Sequence, residues 1–238
     1  MLACIVAGGK KGEFTPEGQK ALATIHGKRM VDYVADALAA TPEIDQVIVI
    51  SDQENLIDSL SYALKQAKNE NEYMLIVTCD IPFLTPEAVA DFLSRCKQDA
   101  DFYYPIVEEQ VHKNRFPGIQ RTFVKLKEGT FTGGNLFLVR PASLIPLLDR
   151  IEKILEARKS PIALSAELGF SFVLRLILTK MIGVLTIRSL ETRIRKQFHI
   201  HARAVVSPFP EIANDVDRPA DLIWAQKILG QNLPAIRK

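Results

Sequence analysis

Two short stretches of this chain carry residue types that can handle phosphate or a metal ion. The first is Ala7-Gly8-Gly9-Lys10-Lys11-Gly12, which closes an apolar run and leads to Gln19-Lys20-Ala21-Leu22. Adjacent glycines directly after a buried strand let the backbone approach a ligand and aim N–H groups at phosphate oxygens. Lys20 can return to the same place as a point charge on those oxygens. Neither common phosphate fingerprint is present: no G-x-G-x-x-G follows the run, and Gly27-Lys28 lacks the rest of a G-x-x-x-x-G-K-[ST] loop. The competing reading is an ordinary strand-to-helix turn that needs glycines. The second stretch is Thr78-Cys79-Asp80-Ile81-Pro82-Phe83-Leu84-Thr85. It places a carboxylate just beyond a strand, where a doubly wound sheet binds ligands. The alternative role for Asp80 is a turn or cap.

The elements that must position these residues follow from hydrophobic periodicity. Leu2–Ala7, Gln46–Ile50 and Tyr73–Thr78 are β-branched runs expected to be strands buried on both faces. Between them Met30, Val31, Val34 and Leu38, then Leu56, Ile57, Leu60 and Leu64, repeat at helical spacing. Pro86 opens a further helix striped by Val89, Phe92 and Leu93, with Thr85 as its N-cap. Such alternation predicts right-handed βαβ units, an α/β fold with a mainly parallel sheet flanked by helices, and ligands beyond the carboxyl ends of the strands. Phe102–Val107, Thr122–Leu126 and Asn135–Val139 are expected as shorter strands, and Ser143–Arg158 as a helix. Helical pattern continues to Lys180, followed by a strand at Val184–Ile187, a helix at Leu190–Phe198 and a strand at Ala202–Val206. Pro219 opens a last helix through Leu229, and Gly230 is placed to end it. No repeat, low-complexity tract or linker interrupts the chain, so one domain over residues 1–238 is the simplest organisation.

V-A-G-G followed by Lys20-Ala21-Leu22 resembles the signature of nucleotidyltransferases related to the molybdenum-cofactor guanylyltransferase, the MobA-like NTP transferases, which share a Rossmann-like, GT-A-like architecture. Asp80 stands in a D-x-P-x-L-T stretch similar to the family's second signature. Asn214-Asp215-Val216-Asp217-Arg218-Pro219-Ala220-Asp221-Leu222 resembles its third. The resemblance implies that Ala7, Gly8, Gly9, Lys10 and Lys11 wrap a nucleotide and that Lys20 contacts its phosphates. It also implies that Asp80 and Asp217 hold Mg²⁺, with Asp215 as an accessory ligand. Magnesium takes hard oxygen ligands, commonly one or two carboxylates plus phosphate oxygens and water. The family pattern carries an arginine where this chain has Glu13-Phe14-Thr15, and Lys10 or Lys11 is the cation available instead.

The implied activity is transfer of an NMP unit from an NTP, with GTP or CTP favoured by analogy, to a small phosphorylated acceptor. Residues 1–100 would hold the nucleotide; residues 101–238 would supply the acceptor side and the closing metal ligand. On that side the resemblance points to Gly133, Gly134 and Asn135, where glycines permit close approach and Asn135 offers an amide. A glycine-containing turn into a strand is the alternative there. Lys125 and Lys127 share one strand face and can attract a phosphate, or simply meet solvent. A sugar-1-phosphate or cytidylyl transferase of the same superfamily would use the same aspartates. A nucleotide-binding regulatory protein without catalysis is the reading from another class. A metal-dependent glycosyltransferase would place its D-x-D earlier than Asp215-Val216-Asp217.

Composition narrows the partners. Lys plus Arg (30) nearly balance Asp plus Glu (28), for a net charge of +2, which argues against a dedicated nucleic-acid binder. Cys4, Cys79 and Cys96 are widely spaced and form no metal or disulfide pattern. The apolar region Ile162–Ile187 is broken by Glu167, Arg175 and Lys180, and no secretory leader precedes the first strand. A cytoplasmic, non-membrane protein is the expectation.

Overall fold

The computed structural model describes residues 1–8, 20–51, 53, 55–157 and 185–230. Five parallel strands form most of one sheet: β1 (Leu2–Val6), β4 (Gln46–Ile50), β5 (Met74–Thr78), β6 (Phe102–Glu108) and β10 (Ala202–Ser207). β9 (Leu136–Val139) runs antiparallel between β5 and β6. β8 (Thr130–Gly133), immediately before it, pairs with the far half of β6 and with the two-residue β7 (Val124–Lys125). The order β4-β1-β5-β9-β6, with β10 beside β6, aligns the carboxyl ends of β1, β5, β6 and β10 with the amino end of β9. A small hairpin, β2 (Thr24–Ile25) and β3 (Lys28–Arg29), stands apart. Its turn residues His26 and Gly27 both have positive φ, as the twist-matched hairpin turn demands.

Alternation along the central strands builds two apolar layers. Ala3, Ile5, Leu75 and Val77 face a core completed by Val31, Val34 and Leu38 of α1 (Met30–Ala39) and Val89 and Phe92 of α3 (Pro86–Arg95). Cys4, Val6, Met74 and Ile76 face the opposite layer, with Ala63 and Leu64 of α2 (Leu56–Leu64) and Leu148 and Ile151 of α6 (Leu148–Ala157). This period of two is what a strand buried on both faces requires. A third cluster joins the hairpin residue Ile25 to Phe83, Phe116, Val216 and the last helix, α8 (Pro219–Leu229), beneath the carboxyl ends of the strands.

Several expectations change. β4 is an edge strand, with Val49 44% exposed, and is therefore not buried on both faces. The helix expected over Ser143–Arg158 is divided: α5 (Pro141–Leu144), a 3-10 turn at Ile145–Leu147, and α6. Pro146 lies in that turn and cannot donate an interior helical hydrogen bond. Instead of a strand reaching Ile187, Thr186 caps a helix, α7 (Ile187–Phe198), through reciprocal bonds with Ser189. Short α4 (Glu109–Arg115) has too few apolar residues to announce itself. Glu191 of α7 accepts from the backbone N–H of Ala204, covering part of the outer edge of β10. The helical pattern expected from 159 to 180 lies outside the described residues. No described helix is long and apolar enough to cross a membrane.

Candidate active site

Lys20 enters the site from a 3-10 turn, Lys20–Leu22, that packs on α1. Its ammonium donates to Asp80 Oδ2 at 2.6 Å and also to Asp217 Oδ1. The three motif residues, separated by most of the chain, therefore meet at one point beyond the strand ends. Burial works to lower the Lys20 pKa, but the Asp80 and Asp217 carboxylates outweigh it and raise the value. The lysine stays charged through the ordinary pH range.

Each acid is placed by a separate local device. Asp80 lies two residues beyond the end of β5, and Thr78 at the strand end donates from Oγ1 to Asp80 Oδ1 at 2.5 Å. Thr85 accepts from Ala88 N at 3.2 Å, capping α3 as its sequence predicts. Asp217 ends the segment leading into α8, and its side chain is 60% exposed. Val216 N donates to Asp80 O at 2.8 Å, which ties the two acid-bearing segments together. Asp221 accepts from the backbone N–H groups of Asp217 and Arg218, at 3.2 and 2.9 Å. Its position in the first helical turn also suits the helix dipole, and through these bonds it fixes the backbone that carries Asp217.

Asp80, Asp215 and Asp217 each bring a carboxylate oxygen to within 4.8 Å of the others. Three hard oxygen donors at one point are a donor set that suits magnesium. Asp215 is also gripped from the far side: Asn135 Nδ2 reaches its Oδ1 at 3.5 Å, and Arg121 forms an ion pair with the same oxygen. Beside this cluster lies a cleft of about 500 Å³, whose lining includes Gln120, Arg121, Thr122, Asp217 and Arg218.

The remaining expected site residues have varied placements. Ala7 and Gly8 leave β1 at the right end of the sheet, and Ala7 N donates to Ile50 O at 2.8 Å. A Cβ on Gly8 would stand 2.1 Å from Ser59 Oγ and 2.8 Å from Gln53 O, so its bareness admits the start of α2. Gly9, Lys10 and Lys11 lie outside the described residues. Asn135 joins the acid cluster, but Gly133 and Gly134 serve internal packing. Added Cβ atoms would meet Tyr104 Oη at 1.5 Å and Pro105 Cγ at 2.8 Å, so the space expected for a ligand is taken by the protein itself. Lys125 is exposed on β7 and does not line the cleft.

Arg121 is the residue that motif reading misses. It stands in the irregular segment between α4 and β7, and no spacing rule distinguishes it from other arginines in the sequence. Only the folded chain carries it to Asp215.

A model of the MobA-like NTP transferase domain matches residues 3–167. A hypothetical transferase from Thermus thermophilus is 34% identical with a TM-score of 0.82, over 93% of this chain and 98% of that one. CMP:2-keto-3-deoxy-manno-octonic acid synthetase, complexed with CTP, superposes with a TM-score of 0.61 at 13% identity, over 98% and 99% of the two chains. The 2-C-methyl-D-erythritol 4-phosphate cytidylyltransferase of Francisella tularensis gives a TM-score of 0.55 at 13% identity, over 95% and 98%. These last two attest the fold alone. No curated protein matches the chain. From the family model and the Thermus relative together, this chain belongs to the MobA-like NTP transferase domain family.

Proposed function

We propose that the protein is a magnesium-dependent nucleotidyltransferase that moves an NMP unit from an NTP to a small phosphorylated acceptor. The observation that carries this reading is the convergence of Lys20, Asp80 and Asp217, one residue from each motif, beyond the carboxyl ends of parallel strands. An oxygen of the acceptor phosphate attacks the α-phosphorus, the bond from that phosphorus to the bridging oxygen breaks, and pyrophosphate leaves with the electron pair. No protein nucleophile is required; catalysis is positioning and electrostatics.

Lys20 contacts the phosphates, with Ala7, Gly8, Gly9, Lys10 and Lys11 around the nucleotide. Asp80 and Asp217 hold Mg²⁺, and Asp215 stands beside them as a further oxygen donor. The metal, when bound, supplies charge neutralisation on the phosphates and the leaving group. Residues 1–100 form the nucleotide half of one functional unit, and residues 101–238 supply the acceptor side, with Asn135, and the closing metal ligand Asp217. The family resemblance favours GTP. The two distant fold neighbours, named for CMP or cytidylyl chemistry, make CTP the other candidate.

The test is a thermal-shift series with the four NTPs, with and without magnesium. One NTP should raise the melting temperature only when magnesium is present, because ligand at 100 times its Kd stabilises a native state by about 2.7 kcal/mol. If none of the four moves the transition, the protein does not hold a nucleotide in the way proposed.

A further inference from the structure

Burying a guanidinium demands an explanation, since arginine ordinarily keeps its head in water. Arg121 is only 16% exposed and faces Asp215, itself 13% exposed, on the wall of the cleft. Burial pulls its pKa down, and the charges of Asp217 and Asp80 act against that pull. The fold does not use the whole fork: Arg121 Nε is buried and makes no hydrogen bond with the described residues.

The other described cations at the site have other assignments, Lys20 being the one given above to the nucleotide phosphates. Lys20 lies between Asp80 and Asp217, and Arg218 places two nitrogens on Asp221 at 3.2 and 3.0 Å. Lys20, from the segment before the hairpin, pairs with Asp80 and Asp217, whereas Arg121, from the second half of the chain, pairs with Asp215. Charge balance gives Arg121 a purpose. Three carboxylates (Asp80, Asp215, Asp217) against two cations (Lys20, Arg121) leave one negative charge, which a divalent cation reverses to one positive. A site so loaded favours an anionic substrate group, and a planar fork can take two oxygens of a phosphate at once. Asn135 also reaches Asp215, so that carboxylate keeps a donor when the guanidinium turns toward substrate.

We propose that Arg121 is the specificity residue that binds the phosphate monoester of the acceptor, with Asp215 holding the guanidinium ready in the cleft. The assignment rests on the transferase reading above and names the residue that selects its second substrate.

The experiment is a calorimetric titration of glycerol 3-phosphate, glycerate and glycerol into wild type, Arg121→Lys and Arg121→Ala, with magnesium and the NTP that the thermal-shift series selects. Wild type should bind glycerol 3-phosphate and neither of the others. Arg121→Ala should weaken that binding ~10-fold or more, the scale of a lost charge-assisted hydrogen bond. Arg121→Lys should recover part of it, and in both variants the loss of glycerol 3-phosphate affinity should exceed any loss of NTP affinity. Equal binding of glycerol 3-phosphate by wild type and both variants would reduce Arg121 to a structural partner of Asp215. A matching loss of NTP affinity would move Arg121 to the triphosphate, and glycerate bound as tightly as glycerol 3-phosphate would make the site a carboxylate receptor; each result overturns the proposal. Failure to bind any NTP in wild type refutes the transferase reading instead. The same titration without nucleotide still reports whether Arg121 governs phosphate binding. Should Arg121→Ala fail to fold, the Arg121→Lys comparison carries the test.

Discussion

An ammonium held between two carboxylates has one geometry and two uses. In the structure Lys20 offsets the repulsion of Asp80 and Asp217; in the proposed reading, a cation engaging those acids leaves Lys20 to turn toward phosphate. Asp80 is held at both oxygens, by Thr78 at one and by Lys20 at the other. Asp80→Ala should therefore lower turnover by ~10²-fold or more, the scale of losing a charge-stabilising group. Steady-state pyrophosphate release would check this, and normal turnover with magnesium present would remove Asp80 from the metal site. Lys20→Ala should weaken NTP affinity and leave the fold intact; an unchanged titration curve would separate Lys20 from the phosphates. Asp80 was legible because it stands just past an apolar run, where chain direction alone assigns it to the ligand-binding edge, whereas Lys20 was legible only through the K-A-L part of the family resemblance. Arg121 was not legible. A loop has no period, and its partner lies 94 residues further along the chain.

At the level of elements, the turn between β8 and β9 shows how the same residue type serves different ends. Glycines before a strand suggest access for a ligand, yet Gly133 is bare because the Tyr104 hydroxyl fills the place of its side chain. Tyr104 in turn lies parallel to Phe137, with ring centroids 5.6 Å apart. Gly133→Ala should cost about 1–3 kcal/mol, the usual penalty of overpacking. Urea unfolding would read this as a lower midpoint, and the loss should shrink when Tyr104 is replaced by a smaller residue. An unchanged midpoint would mean that Tyr104 moves aside freely. Helix ends were the better-signalled features: Thr85 and Pro86 start α3, Pro219 starts α8, and Gly230 ends it. The cap at Gly230 has φ −77°, so its glycine is not required by a left-handed turn. The ring of His26, hydrogen-bonded to Gln226 O at 2.6 Å, occupies the space beside it.

Across the whole molecule, the acids of the third motif rest on a buried polar layer. His112 of α4 and Asn214 are both almost wholly inaccessible. Burial lowers the His112 pKa below its ordinary 6.5 and the Arg121 guanidinium adds to this, while Asn214 pulls the other way. The folded state therefore prefers a neutral ring. Above about pH 6.5 neither state binds this proton, and stability is unaffected by it. Below that pH the unfolded chain takes up the proton while the folded chain resists, so stability falls as pH falls. Each pH unit within that window costs up to ~1.4 kcal/mol. Chemical denaturation at pH 7.5 and 5.5 should show this loss in wild type, and His112→Leu, among Phe116 and Phe123, should remove part of it. Identical pH slopes in the two proteins would mean that His112 titrates freely.

The sequence by itself determined the alternating α/β plan, the direction of the central strands and the side of the sheet where Asp80 stands. Those features follow from hydrophobic period and chain handedness, which act over a dozen residues at a time. Tertiary structure decided which strand would be an edge, which glycines would face protein, and which arginine would enter the cleft. It also inserted antiparallel β9 between β5 and β6, bringing Asn135 beside Asp215. None of these has a local signature. Each depends on which segments, distant in the chain, can share one volume without overlap while every buried charge finds an opposite.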